Sequence, residues 1–442
     1  MLSARMPEIA MELLFIHEAF PAQFGHLALE LSRRYGWKCR FLVEDLSRCP
    51  TPTRAMLETL EIQRLPVSAE FRANRALPWP QMYSRYLELC QATFAAVRAR
   101  PDLRPDLVVA HGGCGAPTLF LPEIVKCPII NYCEYYFALG RCDISYRIDL
   151  PPAEPAHFYP RCINAIVLAS LVDCDSGYSP TAWQRQSFPK RFWPKIEVHF
   201  DGIDTELYRP RSVQRVIAGN AVPPDTRIVT YVARGLESMR GFDQFMKVAR
   251  RIYRERSDVL FVVVGSELTY YGWDKLHIEG PGARGQGSER GLTPDSSPLT
   301  PSFKQWALSQ GDYDLSRFVF IDHLLPEQLA EVLCLSDLHI YLTVPFVLSW
   351  SMLDALASGC LVLASDVPPV REVIEAGVNG LVAPFYDTEL LAEAALDVLR
   401  DPAAYQPLRD AARARMEEQY SIEASIPQLR AYFERVAARG AP

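Results

Sequence analysis

The chain has 442 residues, 49% hydrophobic and 22% charged, with a formal net charge of -7. That length exceeds one ordinary core and predicts two domains, and the acidic balance excludes the basic footprint that broad nucleic-acid binding needs. Eleven cysteines, an odd number without a Cys-x-x-Cys pair, read as reduced thiols of a cytoplasmic protein. No N-terminal stretch has the layout of a signal peptide, and the longest apolar runs, such as Ala165 to Val172, are far too short for a membrane span. Peripheral contact with the inner face of a membrane stays open.

In chain order, the first ten residues look dispensable. Met11 to Ile16 is an apolar strand, followed by a loop through His17 and Gly25 and the amphipathic helix Leu27 to Tyr35. Cys39 to Val43 reads as the next strand. A polar, proline-bearing stretch (Pro50 to Pro80) precedes a long helix, Met82 to Arg98. Leu107 to Ala110 is a strand ending at His111-Gly112-Gly113-Cys114, and Pro128 to Tyr132 is another. Asp173-Cys174-Asp175, after the apolar run Ile163 to Val172, reads as a strand end near Ser176 to Tyr178.

The same grammar restarts after Asp201-Gly202-Ile203-Asp204 and a linker near Pro210 to Pro224. Ile228 to Ala233 is a strand leading into a loop with Arg234 and Arg240. Helix Phe242 to Arg254 and strand Val259 to Gly265 follow, the latter closing at Gly265-Ser266-Glu267. Residues 278 to 302, rich in Gly, Pro and Ser, read as a surface insertion. Then come strand Phe318 to Ile321, with Asp322-His323 beyond it, and helix Glu327 to Cys334. Strand Leu338 to Leu342, a loop through Pro345 and Ser349, helix Trp350 to Ala357 and strand Cys360 to Ala364 complete the block. Alternating strands and helices in both halves predict an α/β protein of two Rossmann-like, doubly wound parallel sheets.

The richest stretch is Leu338 to Asp366. Its helix N-terminus points beyond the strand ends, where free N–H groups and the helix dipole favour a phosphate. Ser349, Trp350 and Ser351 supply backbone N–H groups there, and Asp354, one turn in, is placed to meet a ribose. Arg234 and Arg240 stand six apart beside a strand-to-helix turn, a place for guanidinium groups to neutralise charge on a leaving nucleotide.

These ordered motifs make the chain resemble, over nearly all of residues 11 to 440, a family 4 retaining glycosyltransferase of the two-Rossmann GT-B type. His17-Glu18-Ala19-Phe20-Pro21-Ala22-Gln23-Phe24 resembles the His-Glu-x-Phe-Pro-x-Gln-Phe loop of a bacterial subgroup. The resemblance implies an acceptor-binding domain over 11–210 and a donor-binding domain over 225–420, facing each other across a cleft. A last helix within 421–442 would cross back to the first domain. It implies a nucleotide-diphosphate sugar as donor, with UDP or GDP as nucleotide. A glycan or lipid-linked glycan would be the acceptor, no metal or further cofactor would be required, and the pathway would be bacterial surface polysaccharide.

It also implies roles. Arg234 and Arg240 take the places of an Arg and a Lys that bind the donor diphosphate. Asp354 takes the place of the ribose-binding Glu of a Glu-x7-Glu pair. Counting back puts Phe346 where the first Glu stands, and Phe accepts no hydrogen bond from a sugar. His111 ends its strand where the family often has a His facing the donor sugar. Gly25 lies where a glycine loop passes close to the phosphate. Glu267 and His323 join the nucleotide or donor-sugar contacts, and His17, Glu18 and Glu134 are candidates for the acceptor. No P-loop, nucleophile elbow or zinc helix is present. Two other readings remain: a sugar-nucleotide epimerase or phosphorylase on the same fold, or a non-catalytic sugar-nucleotide-binding protein, suggested by Phe346.

Overall fold

The computed structural model describes residues 10–45, 52–67, 79–111, 115–137, 143–151, 158–270 and 301–440, with Asp274 and Ile278 between the last two spans. Nearly all of the dispensable leader, Gly112 to Cys114 and nearly all of the 278–302 insertion lie outside the described residues. The chain divides into two compact units. One comprises 1–137, 158–202 and 423–442, and the other 138–157 and 203–422.

In the first unit the elements are β1 (Glu12–Ala19), α1 (Phe24–Tyr35), β2 (Lys38–Asp45), α2 (Arg54–Thr59), β3 (Glu61–Arg64), α3 (Trp79–Arg98), β4 (Leu107–Ala110), β5 (Ile129–Tyr132), α4 (Phe158–Asp173), β6 (Ser176–Ser179), α5 (Ala182–Ser187) and β7 (Ile196–Val198). They form a seven-stranded sheet of order β3-β2-β1-β4-β5-β6-β7. Every pairing is parallel, Leu14 facing Arg40 on one side and Val108 on the other. Strands buried on both faces read as unbroken apolar runs, and Leu107–Ala110 is wholly buried.

The second unit contains a short hairpin, β8 (Val216–Ile217) and β9 (Asn220–Ala221). The elements continue with β10 (Arg227–Gly235), α6 (Phe242–Glu255), β11 (Val259–Ser266), α7 (Phe303–Ser309), β12 (Phe318–Ile321), α8 (Pro326–Cys334), β13 (Leu338–Tyr341), α9 (Trp350–Ala357), β14 (Val362–Ser365), α10 (Pro368–Arg371), β15 (Leu381–Ala383), α11 (Thr388–Arg400) and α12 (Gln406–Arg415). The six-stranded parallel sheet runs β12-β11-β10-β13-β14-β15. The last helix, α13 (Ile422–Ala437), packs with the first unit, where Tyr432 Oη bonds to Ser176 Oγ at 2.8 Å and donates to the Gly177 carbonyl.

Each sheet reverses its strand order once, between β1 and β4 and between β10 and β13. In open α/β sheets the crevice beyond the carboxyl ends of two such strands is where ligands bind. Two sequence readings are corrected here. Asp173 ends helix α4 rather than a strand, while Asp175, just before β6, accepts a hydrogen bond from the Ile129 amide at 2.7 Å. The apolar run before them is helical. Arg234 lies within β10 rather than past it, because a register shift between Val232 and Gly235 carries the strand on to pair with Ser266. Among the described residues no helix is long and apolar enough to cross a membrane.

Candidate active site

In the second unit, the loop from β10 to α6 turns at Gly241. Its φ of 63° favours glycine, and a Cβ there would lie 2.8 Å from both Leu342 and Phe385. The turn drives Arg240 inward, leaving it only 6% exposed. Its Nη1 donates to Thr343 Oγ1 at 3.0 Å and to Tyr341 Oη and the Val347 carbonyl at 3.3 Å, while Tyr231 Oη donates to the Arg240 carbonyl. Arg240 therefore braces the variant loop after β13. Phe346 is part of that brace. It is buried, and its ring centroid lies 5.8 Å from the Arg240 guanidinium. The aromatic ring thus meets the cation rather than offering an open platform to a sugar. Arg234, by contrast, is exposed, with its guanidinium 4.1 Å from the centre of the Tyr270 ring.

Ser349 caps α9, its Oγ accepting from the Ser351 amide. Ser351 Oγ donates to the Val232 carbonyl at 3.2 Å, so the 2.8 Å contact between the two hydroxyls has Ser349 as donor. The Ser349 amide donates to Tyr341 Oη at 3.0 Å. Of the three backbone N–H groups marked from sequence, that of Ser349 is tied to the end of β13 and that of Ser351 to the helix's own cap. Trp350, the first residue of α9, is exposed and is no core aromatic.

Asp354 is buried on α9, and no hydrogen bond to its carboxyl is found among the described residues. Burial first, and then repulsion by Asp204, push its pKa well above the usual carboxylate range. Asp204 itself accepts from the amides of Glu206 and Leu207. The two oxygens of Glu267 accept from Ser302 Oγ at 2.7 Å and Lys304 Nζ at 3.0 Å, tying the end of β11 to the start of α7. These bonds, the Ser302 bond first, lower its pKa. His323 is exposed on the loop after β12.

In the first unit the switch point holds a second polar cluster. His17 Nδ1 accepts from the Ala19 amide at 2.9 Å, which places the ring proton on Nε2, 2.8 Å from Gln23 Oε1. Gln23 Nε2 donates in turn to Glu134 Oε1 at 3.2 Å, and His111 Nε2 stands 3.4 Å from the other Glu134 oxygen. The sequence marked His17, His111 and Glu134 separately. Their union through Gln23 explains both polar ends of the His-Glu-x-Phe-Pro-x-Gln-Phe loop. Burial, then the neighbouring His111, hold His17 well below its ordinary pKa and so neutral. Gly25 sits in the first turn of α1, where a Cβ would come within 2.3 Å of Pro21 Cβ, so close packing requires the glycine.

Beside this cluster Tyr132 Oη donates to Asp201 Oδ2 at 2.8 Å. Burial, reinforced by Glu134, lifts the Asp201 pKa to about 7. The unfolded chain releases that proton near pH 4. Between about pH 4 and 7 the folded state binds more protons, so stability falls as pH rises through that window. Asp201→Asn keeps the acceptor for Tyr132 and removes the charge. Its melting temperature relative to wild type is expected to rise from pH 5 to pH 8. A difference that does not change with pH in melting curves counts against the buried-acid account.

Residues 63–208 match the family model described as glycosyl transferase family 4 group, and residues 213–415 the model described as glycosyl transferases group 1. The N-acetyl-alpha-D-glucosaminyl L-malate synthase of Bacillus anthracis is 27% identical over 107 residues, which are 24% of this chain and 28% of that enzyme. The chain thus matches little more than a quarter of that relative's length. Among solved structures, sucrose-phosphate synthase of Thermosynechococcus elongatus is similar with a TM-score of 0.69 at 17% identity, over 97% of this chain and 100% of the other. A UDP-forming α,α-trehalose-phosphate synthase of Burkholderia vietnamiensis reaches 0.67 at 13% identity, over 98% of each chain. Anabaena HepE in complex with UDP-glucose reaches 0.64 at 13% identity, over 96% of this chain and 100% of that one. At such identities the structures establish the fold. The fold is the GT-B fold of those structures, and two consecutive stretches of the sequence match glycosyltransferase family models.

Proposed function

We propose that the second unit binds the diphosphate of a UDP-sugar and that the first unit presents an acceptor hydroxyl. In this reading the acceptor oxygen bonds to the anomeric carbon, the bond from that carbon to the phosphate oxygen breaks, and the departing phosphate takes the acceptor proton. The configuration is retained, as the family 4 resemblance implies. The chain's own part is orientation and charge stabilisation. Arg234 meets the diphosphate, Arg240 and the Ser349–Ser351 cap shape its seat, Asp354 receives the ribose, and Trp350 and His323 flank the nucleotide. His111, with Glu134, meets a sugar hydroxyl. UDP is preferred to GDP because HepE is described with UDP and UDP-glucose and the trehalose-phosphate synthase as UDP-forming. A glycan or lipid-linked glycan of the bacterial surface, reached at the inner face of the membrane, is the proposed acceptor.

The observation that carries this reading is an Arg-braced loop entering helix α9 at the strand switch of the second sheet, with Asp354, whose carboxyl has no hydrogen bond among the described residues, one turn inside. Titration with UDP, GDP, ADP and dTDP, together with release of UDP from UDP-glucose, tests it. Tight UDP binding with turnover supports a transferase. Binding without turnover on any acceptor favours a sugar-nucleotide-binding protein, which Phe346 would suit. Binding of none of the four withdraws the reading.

Asp354→Asn separates binding from folding. Because burial raises the pKa of Asp354, its charge opposes the folded state once the pH exceeds the unfolded value, so the amide variant should melt no lower than wild type at pH 8. A lost charged hydrogen bond costs about 1.5–3 kcal/mol, roughly a ten- to hundredfold rise in the UDP Kd. Calorimetric titration beside a melting curve checks both. Unchanged affinity removes Asp354 from the ribose site.

A further inference from the structure

Between β5 and α4 the chain passes, after Phe137, into the second unit. Residues 143–150 are stapled there by Tyr386, whose hydroxyl accepts from the Ile148 amide at 3.0 Å and lies 2.9 Å from Asp149 Oδ1. At the centre of this segment Arg147 is 4% exposed. Its Nε and Nη2 donate to the two Asp149 oxygens at 2.9 and 2.8 Å. Its Nη1 and Nη2 donate to the two Asp243 oxygens at 3.1 and 2.8 Å, and Nη1 also donates to the Ser238 carbonyl at 2.7 Å. All five guanidinium N–H groups are used, in a planar fork that lysine cannot reproduce. The guanidinium also stands 5.4 Å from the centre of the Phe385 ring.

The position of this fork gives it meaning. Ser238 lies between Arg234 and Arg240 in sequence, and its backbone is gripped from two sides. Arg147 holds its carbonyl, and Asp274 accepts from its amide at 3.0 Å and from its hydroxyl. Asp243 is in the first turn of α6, 5% exposed. A buried carboxylate in that place, left without its cation, would oppose an incoming diphosphate and destabilise the fold.

We propose that Arg147 is a positioning residue of the donor diphosphate site, fixing the Ser238 carbonyl and cancelling the Asp243 charge beneath the turn that runs from Arg234, in β10, to Arg240. The proposal rests on the donor reading of the second unit. It makes a residue from the N-terminal half of the sequence part of the donor site. It also explains a buried ion cluster that core packing does not require.

The test uses the full chain, with UDP and UDP-glucose as probes. Arg147→Lys keeps a cation opposite Asp243 but cannot serve two carboxylates and a carbonyl in one plane. It is expected to melt within a few degrees of wild type while the UDP Kd and the KM for UDP-glucose each rise at least tenfold. Arg147→Met with Asp243→Asn removes cation and anion together. It is expected to regain the melting temperature lost by Arg147→Met alone, but to recover UDP affinity only in part, because Ser238 stays unheld. Wild-type UDP affinity in either folded variant overturns the proposal while leaving the donor reading intact. Failure of the wild-type protein to bind UDP, GDP, ADP or dTDP overturns the donor reading and this proposal with it.

Discussion

Arg240→Ala is expected to raise the UDP Kd by a hundredfold or more and to lower the melting temperature as well. Arg234→Ala is expected to weaken UDP binding and leave the melting temperature alone. The two arginines look alike in sequence and differ in burial. Arg240 is 6% exposed and donates to Tyr341, Thr343 and Val347, so its removal takes a charged donor from three acceptors in the interior. A hydrogen bond to a charged group is worth about 1.5–3 kcal/mol, and a buried group left without its partner costs a further ~1–3 kcal/mol. The loop from Thr343 to Ser349 then loses its side-chain tie to the turn between β10 and α6, and the cap of α9 moves with it. Arg234 is exposed and stacks on Tyr270, a contact worth about 0.5–1 kcal/mol at such a site. Calorimetric titration with UDP beside thermal melts reads both variants. A stable Arg240→Ala protein with wild-type UDP affinity would falsify the bracing role. Arg234→Ala at full affinity removes that side chain from the diphosphate.

Much of the fold was legible because parallel strands buried on both faces are written as short apolar runs. Leu107–Ala110 and Phe318–Ile321 match the sequence reading residue for residue, and α9 spans Trp350–Ala357 as expected. Legibility failed where elements are too short for a pattern. β7 and β15 have three residues each, and α2 and β3 sit inside a stretch dominated by polar residues and proline. The site was legible as an order of motifs and illegible as a set of contacts. Gln23 and Glu134 are 111 residues apart, and Arg147 and Asp243 are 96 apart. No local spacing encodes either pair. Two signals were available and unused. Tyr341 and Thr343 interrupt an apolar strand end with hydroxyls, which become the acceptors of Arg240. Arg147 stands two residues from Asp149 in a segment with no helical or strand period.

Phe346→Glu tests what the variant loop does in place of the family's first glutamate. The substitution is expected to slow UDP release from UDP-glucose at least tenfold rather than to improve it. Phe346 is 8% exposed with its ring 5.8 Å from the Arg240 guanidinium. A carboxylate put there is desolvated and finds the nearest cation. Pairing with Arg240 competes with the bonds to Tyr341, Thr343 and Val347, so the new charge loosens the brace that the ring now supports. Phe346→Leu keeps the apolar volume and loses only the ring's attraction for the cation, worth about 0.5–2 kcal/mol, so a loss of a few-fold to about thirtyfold in rate is expected. Initial rates for wild type and both variants across a panel of UDP-, GDP-, ADP- and dTDP-sugars decide the matter. A Phe346→Glu protein faster than wild type on every donor shows that the ring is a degenerate remnant of a glutamate. Loss in Phe346→Glu with near-wild-type rates in Phe346→Leu shows that this position must stay apolar to hold Arg240 in place. The chain would then recognise its donor sugar through groups other than a glutamate at this position.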